Sequence, residues 1–359
     1  MIRLLFNAFS WQQNSLRRPT LKRIFIILVV VPSMLLHILI TRFFLWLDTI
    51  FYSDFKQKNI DKAVFIVGVP RSGTSFLLNL LANNQQAFTA FRLWELVFAP
   101  SIIQKKFWLF ISRIFPTKAI QNFIENLFFK RMKGIHDLGL GAFEEDELLY
   151  LYDLKSVYLM FIFPELETIH QFVYPDNKDN LKERIRQQIF YKSLIKRHLY
   201  IFNKENQKYF LSKNPIHPIR LDSLTTVFPK AQYLLLQRPL EKTIASTISL
   251  NNNLYSYFCT VPNHSQHIRQ RTIEMLLEWH KYVTYFNQKS DWKKLDIDFK
   301  NMVKYPSNES EKIHYWLELS IDKNYQNFLQ QQDDFSKNYK SIHQYQPLTD
   351  DELQLIKRK

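Results

Sequence analysis

Residues Val64–Ser75 read VFIVGVPRSGTS, and Phe76–Leu81 continue as FLLNLL. A short β-branched run ends in a turn holding two of the chain's five glycines, and an apolar stretch of helical pattern follows. That is the order of a strand, an anion-cradling loop and a helix N-terminus, where free amide N–H groups and the helix dipole favour negative charge. The loop departs from the nucleoside-triphosphate pattern G-x-x-x-x-G-K-S/T. Gly68 and Gly73 hold the glycine places, but Thr74 stands where the lysine belongs, and Arg71 sits inside the loop. One planar guanidinium without that lysine suits a single phosphate bearing one further charged group better than a triphosphate with magnesium. Pro70, Arg71, Ser72, Gly73, Thr74 and Ser75 are the expected anion-binding residues, through backbone amides, the guanidinium and three hydroxyls.

A second stretch, Leu236–Ser246, reads LQRPLEKTIAS. A strand is expected to end near Gln237, and Pro239 opens a helix where its missing N–H costs nothing. Arg238 then lies at the carboxyl edge of a sheet and Ser246 about two turns into the helix, so both can reach one phosphate. The surrounding pattern is α/β from Lys62 onward. Expected strands are Val64–Val67, Tyr209–Ser212, Tyr233–Leu236 and Leu295–Phe299. Expected helices are Ser72–Asn83, Glu144–Leu154, Leu181–Phe202, Glu241–Asn251, Arg269–Phe286 and Glu309–Leu319, with a polar, loosely patterned tail after Asp333. Strands alternating with helices imply a parallel sheet covered on both faces.

The two anion sites, on neighbouring strand ends, fit a nucleotide phosphorylated at both its 5′ and 3′ positions. On these residues the chain resembles the sulfotransferase superfamily, which uses 3′-phosphoadenosine-5′-phosphosulfate (PAPS). P-R-S-G-T-S resembles that family's 5′-phosphosulfate loop, and Arg238-Pro239 with Ser246 resembles its 3′-phosphate motif in residues and spacing. Lys213–His217, KNPIH, resembles the K-x-P-x-H segment that one broad branch carries between the two motifs. The resemblance runs from about Leu47 to Leu353 and includes Trp94-Glu95, the acidic run Glu144–Glu147 and Pro306 with its helix. It implies a P-loop-like fold and transfer of a sulfuryl group from PAPS to an acceptor hydroxyl without a metal. Arg71 and the loop amides would then serve the sulfonate and its bridging oxygen, with Lys213 as a second cation. Two residues compete for the base: Glu95, in the region where carbohydrate- and tyrosine-directed members place a glutamate, and His217, like the histidine that follows a lysine in many cytosolic members. The reading leans to Glu95. His136 and the acidic run are further candidates for the acceptor pocket, the run alternatively capping a helix, and Tyr255, Tyr257 and Phe258 for stacking on adenine. The competing class is a P-loop kinase or nucleotidase-like phosphotransferase, disfavoured by Thr74 and by the lack of an acidic strand end. A binding module that has lost turnover is the third.

Composition bounds these readings. With 359 residues and 46% hydrophobic content the chain can bury a large core. The 31 Phe and 18 Tyr are mostly core residues, with some available for an apolar acceptor groove. A net charge of +15 admits a nucleic acid, an anionic membrane or a phosphorylated ligand, yet no basic region carries a nucleic-acid module. The single cysteine, Cys259, excludes an internal disulfide, and the N-x-S sites at Asn263 and Asn308 are expected by chance in so asparagine-rich a chain. Residues 1–52 are expected to form a basic N-terminus and a membrane-associating segment, and 53–359 the catalytic domain. Within the first part, Ile24–Thr41 is uncharged and about 18 residues long, the lower limit for a span. Pro32, Ser33 and His37 interrupt it, and Phe43, Phe44 and Trp46 follow as at an interfacial belt. It could span, lie in the interface or be a buried helix. No small-residue cleavage site follows it. The lying arrangement keeps the catalytic domain cytoplasmic, whereas a single pass with the cations inside would make it lumenal. The acceptor is read only as a hydroxyl, with a lipid or glycan as candidates.

Overall fold

The computed structural model describes residues 7–12, 15–114, 139–259, 266–289, 292–338 and 347–358; His136 and Asn263 fall outside them. Five strands form one parallel sheet: β1 Ala63–Val67, β2 Phe88–Thr89, β3 Tyr209–Lys213, β4 Gln232–Gln237 and β5 Lys294–Asp298, in the order β2-β3-β1-β4-β5. β1 is central and buried throughout. Its alternate residues serve opposite faces. Val64 and Ile66 join a core with Leu77, Leu81, Leu211 and Leu234, and Phe65 and Val67 join another with Phe210, Tyr233, Leu194 and Leu235.

Among the described residues the longer helices are α1 Leu21–Phe51, α2 Thr74–Ala82, α3 Leu93–Phe98, α4 Ile102–Ile114, α5 Leu181–Phe202, α6 Leu221–Val227, α7 Leu240–Phe258, α8 Gln266–Lys289, α9 Phe299–Lys304, α10 Pro306–Trp316, α11 Lys323–Asn338 and α12 Asp350–Arg358, with single turns at Leu159–Ile162 and Glu167–His170. α1 takes a π-helical turn over Ile26–Val30 just before Pro32, and Ser33 Oγ donates to the Val29 carbonyl (2.7 Å). A proline ring displaces the carbonyl four residues earlier, and a widened turn accommodates it. α1 is long and apolar enough to cross a membrane by length and composition. It is also bonded to the domain along its length. Arg23 is buried and donates to the Ala8 and Ile162 carbonyls, Arg42 Nε donates to the Tyr152 carbonyl, and Asp48 accepts from the Ile102 amide (2.8 Å) and from Arg197 on α5 (2.9 Å).

Three expectations change. Glu144–Leu154 is not an α-helix: after an extended Glu145 it forms a 3₁₀ stretch, Asp146–Asp153, ended by Leu154 in the left-handed region (φ 56°). The two-residue β2 edge was not expected, and the tail after Asp333 is more helical than its pattern suggests, with α11 running on to Asn338 and α12 burying Ile356. The remaining strand and helix expectations differ from the structure chiefly at their ends.

Candidate active site

β1, β3 and β4 are adjacent, and each delivers a cation at or just beyond its carboxyl end: Arg71, Lys213 and Arg238. In an open parallel sheet this is the crevice where the chain switches direction, the usual place for a ligand. A cleft of about 1040 Å³ opens here, and all three cations line it, with Pro70, Gly73, Thr74, Ser75, Glu144 and Glu145. Most of its remaining wall is apolar, including Leu93, Val97, Phe98, Met160, Leu254 and Trp279.

The loop geometry follows from its two glycines. A Cβ at Gly68 would meet Ser72 Oγ at 2.5 Å, and Gly73, at φ +96°, faces the Phe299 ring, which a Cβ would meet at 2.7 Å. Gly73 is also the residue before α2, so the loop delivers the free amides of that helix to the cleft. Arg71 is held at φ 67°, a conformation that costs a non-glycine residue about 1–2 kcal/mol. Ser72 is fully buried, and its hydroxyl has no partner among the described residues.

The two motifs touch. Arg71 Nε donates to Ser246 Oγ (3.1 Å), the Arg238 guanidinium donates to the Arg71 carbonyl, and Thr247 Oγ1 donates to the Pro70 carbonyl (3.3 Å). Arg238 also lies over the Phe299 ring (4.2 Å), which fixes its plane. Lys213 pairs with Glu145, and Tyr158 donates to the other oxygen of the same carboxylate. Burial, reinforced by Glu145, pushes the Tyr158 phenol well above its ordinary pKa, so it remains a donor.

Both expected bases lie away from the cleft wall. α3 presents Leu93 and Val97, one helical turn apart, to the cleft, while Glu95 is turned inward and 2% exposed. It accepts from the Arg92 amide (3.1 Å), contacts His198 Nδ1 at 2.8 Å and lies 3.9 Å from Lys105 Nζ. Burial alone would raise the Glu95 pKa, but His198, Lys105 and the Arg92 amide hold it below the ordinary value. Burial lowers Lys105 to about 8 against the pull of Glu95 and Asp48. His217 is fully buried, with Nε2 2.8 Å from Ser212 Oγ and its ring edge-on to Phe65. Burial, with Arg220 and Lys213 nearby, drives its pKa well below 6.5 and leaves it neutral. Of the acidic run, Glu144 and Glu145 line the cleft. Glu147 is buried under it, held by Arg220 (2.7 Å), Asn214 and Ser156. Tyr255, Tyr257 and Phe258 are absent from the cleft wall, and Tyr255 packs edge-on against Phe161 (5.0 Å).

The placement of Glu95 makes a prediction. Glu95→Gln strips the counter-charge from buried Lys105 and should cost about 3–5 kcal/mol of stability in urea unfolding. The affinity for adenosine 3′,5′-bisphosphate should stay within about twofold under folding conditions, since energies at separated sites are nearly additive. Unchanged stability with lost turnover would instead mark Glu95 as the base.

An all-parallel sheet with helices on both faces, and an anion-type loop opening into a cleft at its carboxyl edge, defines an α/β protein with its ligand crevice at the strand ends. The chain belongs to the sulfotransferase family, whose family model matches residues 63–323. In structure it is similar to sulfotransferase STF1 from Mycobacterium tuberculosis H37Rv, at 18% identity and a TM-score of 0.72, over 99% of this chain and 90% of that one. It is similar also to sulfotransferase STF9 from Mycobacterium avium, at 15% identity and a TM-score of 0.70, over 91% of this chain and 82% of that one. At these identities the likeness is one of fold. No curated protein sequence matches the chain.

Proposed function

We propose that the chain transfers a sulfuryl group from PAPS to an acceptor hydroxyl, with the nucleotide held between the Pro70–Ser75 loop and the Arg238/Ser246 motif. The observation that carries this reading is the direct contact of the two motifs, through Arg71 to Ser246 and Arg238 to the Arg71 carbonyl, at one wall of one cleft. The residues fit such a ligand. Loop amides at a helix N-terminus, the Thr74 and Ser75 residues of the cleft wall and two guanidinium groups supply donors for two anionic groups, while Ser72 is buried behind the loop against Gly68. Among the described residues no group of three or more His, Cys, Asp or Glu is arranged to hold a metal ion.

The nucleotide, when bound, supplies the sulfuryl group and a phosphate leaving group. The chain's own part is positioning, charge stabilisation and removal of one proton. Arg71, with the amides of α2, would balance the charge that builds on the bridging and equatorial oxygens. Arg238 and Ser246 would anchor the 3′-phosphate. Lys213 sits on the next strand end, within reach of the same region. For the base, the geometry favours Glu145 over Glu95 and His217. Its carboxylate lines the cleft, beside Lys213 and under the Tyr158 hydroxyl, while the other two are sealed in the core. Tyr158 and Lys213 would orient the Glu145 carboxylate and hold it ionised until the acceptor hydroxyl gives it a proton, which would release Lys213 from the pair.

Glu145→Gln should therefore lower kcat by about 100- to 10,000-fold, with the KM for PAPS little changed, because general-base removal acts on the chemical step. Turnover within twofold of the parent chain would remove Glu145 from this role. Incubation with ³⁵S-labelled PAPS and fractionated lipids, glycans and small alcohols tests the function as a whole. Label should move to a hydroxyl fraction. Label that moves to none of them, together with magnesium-dependent transfer from ATP, would instead support a phosphotransferase.

A further inference from the structure

α1 leaves a continuous apolar stripe uncovered. Leu36, Leu39, Phe43 and Trp46 recur at helical spacing and are 54–67% exposed. α4 carries a second stripe, with Phe107 and Phe110 at 55% and 59% exposed. The two helices are fastened together: the Ile102 and Ile103 amides at the start of α4 donate to Asp48 of α1, and Gln104 Nε2 donates to Thr41 Oγ1 (3.3 Å). An uncovered apolar patch of this kind on a folded chain marks a surface that meets another apolar phase.

Two observations select the occupant. The first is charge. Lys106 and Arg113 are exposed on α4, which has no acidic residue, and α1's only acid, Asp48, is buried. An apolar face edged by cations is the pattern of a helix pair seated at an anionic bilayer surface. Arg23, Arg42 and Asp48 tie α1 to the domain from end to end, which favours seating on the bilayer over threading through it. The second is continuity with the cleft. Phe98 lines the cleft and packs its ring on Trp108 of α4 (5.9 Å), and His37 of α1 contacts the carbonyl of Val97, another cleft residue (2.7 Å). One wall of the cleft, α3, therefore touches both of the helices that carry the exposed apolar stripes.

We propose that α1 and α4 dock the chain on an anionic lipid bilayer, and that the acceptor hydroxyl belongs to a long-chain amphiphile that passes from that bilayer along α3 into the apolar part of the cleft. The acceptor half rests on the sulfotransferase reading above; the docking half does not.

The test uses the full chain, with vesicles of phosphatidylcholine alone or mixed with phosphatidylglycerol, and the triple variant Phe43→Glu, Trp46→Glu, Phe110→Glu. The parent chain should float with the mixed vesicles more than with the neutral ones. The variant should lose at least about tenfold in partitioning, since each change withdraws a large ring from the interface, while its affinity for adenosine 3′,5′-bisphosphate stays that of the parent. Hexadecanol in mixed vesicles should accept label from PAPS with a kcat/KM on the order of 100-fold above butanol in solution, since burying added methylenes favours binding, and the variant should lose that advantage but not the butanol rate. Equal flotation of parent and variant would overturn the docking surface, as would a dimer in vesicle-free buffer that the variant abolishes without any vesicle binding. Equal use of the two alcohols would overturn the acceptor class. Vesicle binding with transfer to neither alcohol would overturn the acceptor half and count against the transferase reading, leaving the docking half standing.

Discussion

Arg71→Ala should abolish sulfate transfer, lowering kcat by at least about 1,000-fold, the scale of removing an arginine that stabilises the charge of a transferring phosphoryl group. Arg71 sits where the two motifs meet: its side chain reaches Ser246, its carbonyl holds Arg238, and its backbone is in the left-handed region. Strain of that kind persists where the surroundings over-determine it, and here it brings a guanidinium to the mouth of the loop. Arg71→Lys should recover little, because a point charge cannot reproduce the planar fork. Arg71→Gly separates activity from folding. It suits the φ of 67°, which offsets the lost bond to Ser246 and the glycine's backbone freedom, so stability should stay within about 1 kcal/mol of the parent while activity is as low as in the alanine variant. Steady-state rates with labelled PAPS and urea unfolding check both parts. Turnover close to that of the parent chain would remove Arg71 from the reacting oxygens.

Arg238→Ala should act on a different constant. Its guanidinium lies over Phe299 and donates to the Arg71 carbonyl, at the far side of the loop from Lys213 and Glu145. Loss of a charge-assisted bond to a phosphate costs about 1.5–3 kcal/mol, or roughly 10- to 100-fold in donor KM. With PAPS saturating, kcat should fall far less, because the 3′-phosphate keeps its charge through the reaction and its contacts are uniform binding. An unchanged donor KM would detach Arg238 from the nucleotide.

The features that could be read from sequence were those set by local chemistry. The β-branched run before Gly68, the glycine at 73 and the helix-opening Pro239 each fix a backbone conformation on their own, so the strand–loop–helix order emerged with only end residues shifted. The eight-residue spacing from Arg238 puts Ser246 about two turns into α7, beside Arg71. Other features depend on where side chains point. Glu95 and Val97 lie two residues apart on α3, yet one faces the core and the other the cleft, and that rotation is set by His198 and Lys105 from distant segments. His217 follows the lysine as expected but is drawn inward by Ser212 and Phe65. The acidic run looked like a helix cap. Its conformation is dictated instead by Arg220, Asn214 and Ser156 gripping Glu147, which leaves Glu145 at the cleft. Tyr158 and Phe299 carried no local signal at all; only the tertiary fold brings them to the site.

The claim on which the rest depends is that one nucleotide is gripped at both phosphates by the two touching motifs. Calorimetric titration of the parent chain and of Arg238→Ala with adenosine 3′,5′-bisphosphate and with adenosine 5′-phosphate tests it directly. The parent should bind the bisphosphate tighter by about 10- to 100-fold, the worth of one charge-assisted contact, and Arg238→Ala should bind the two ligands alike. A preference for the bisphosphate that survives the substitution undiminished, or a parent chain that does not distinguish the ligands, would contradict the account.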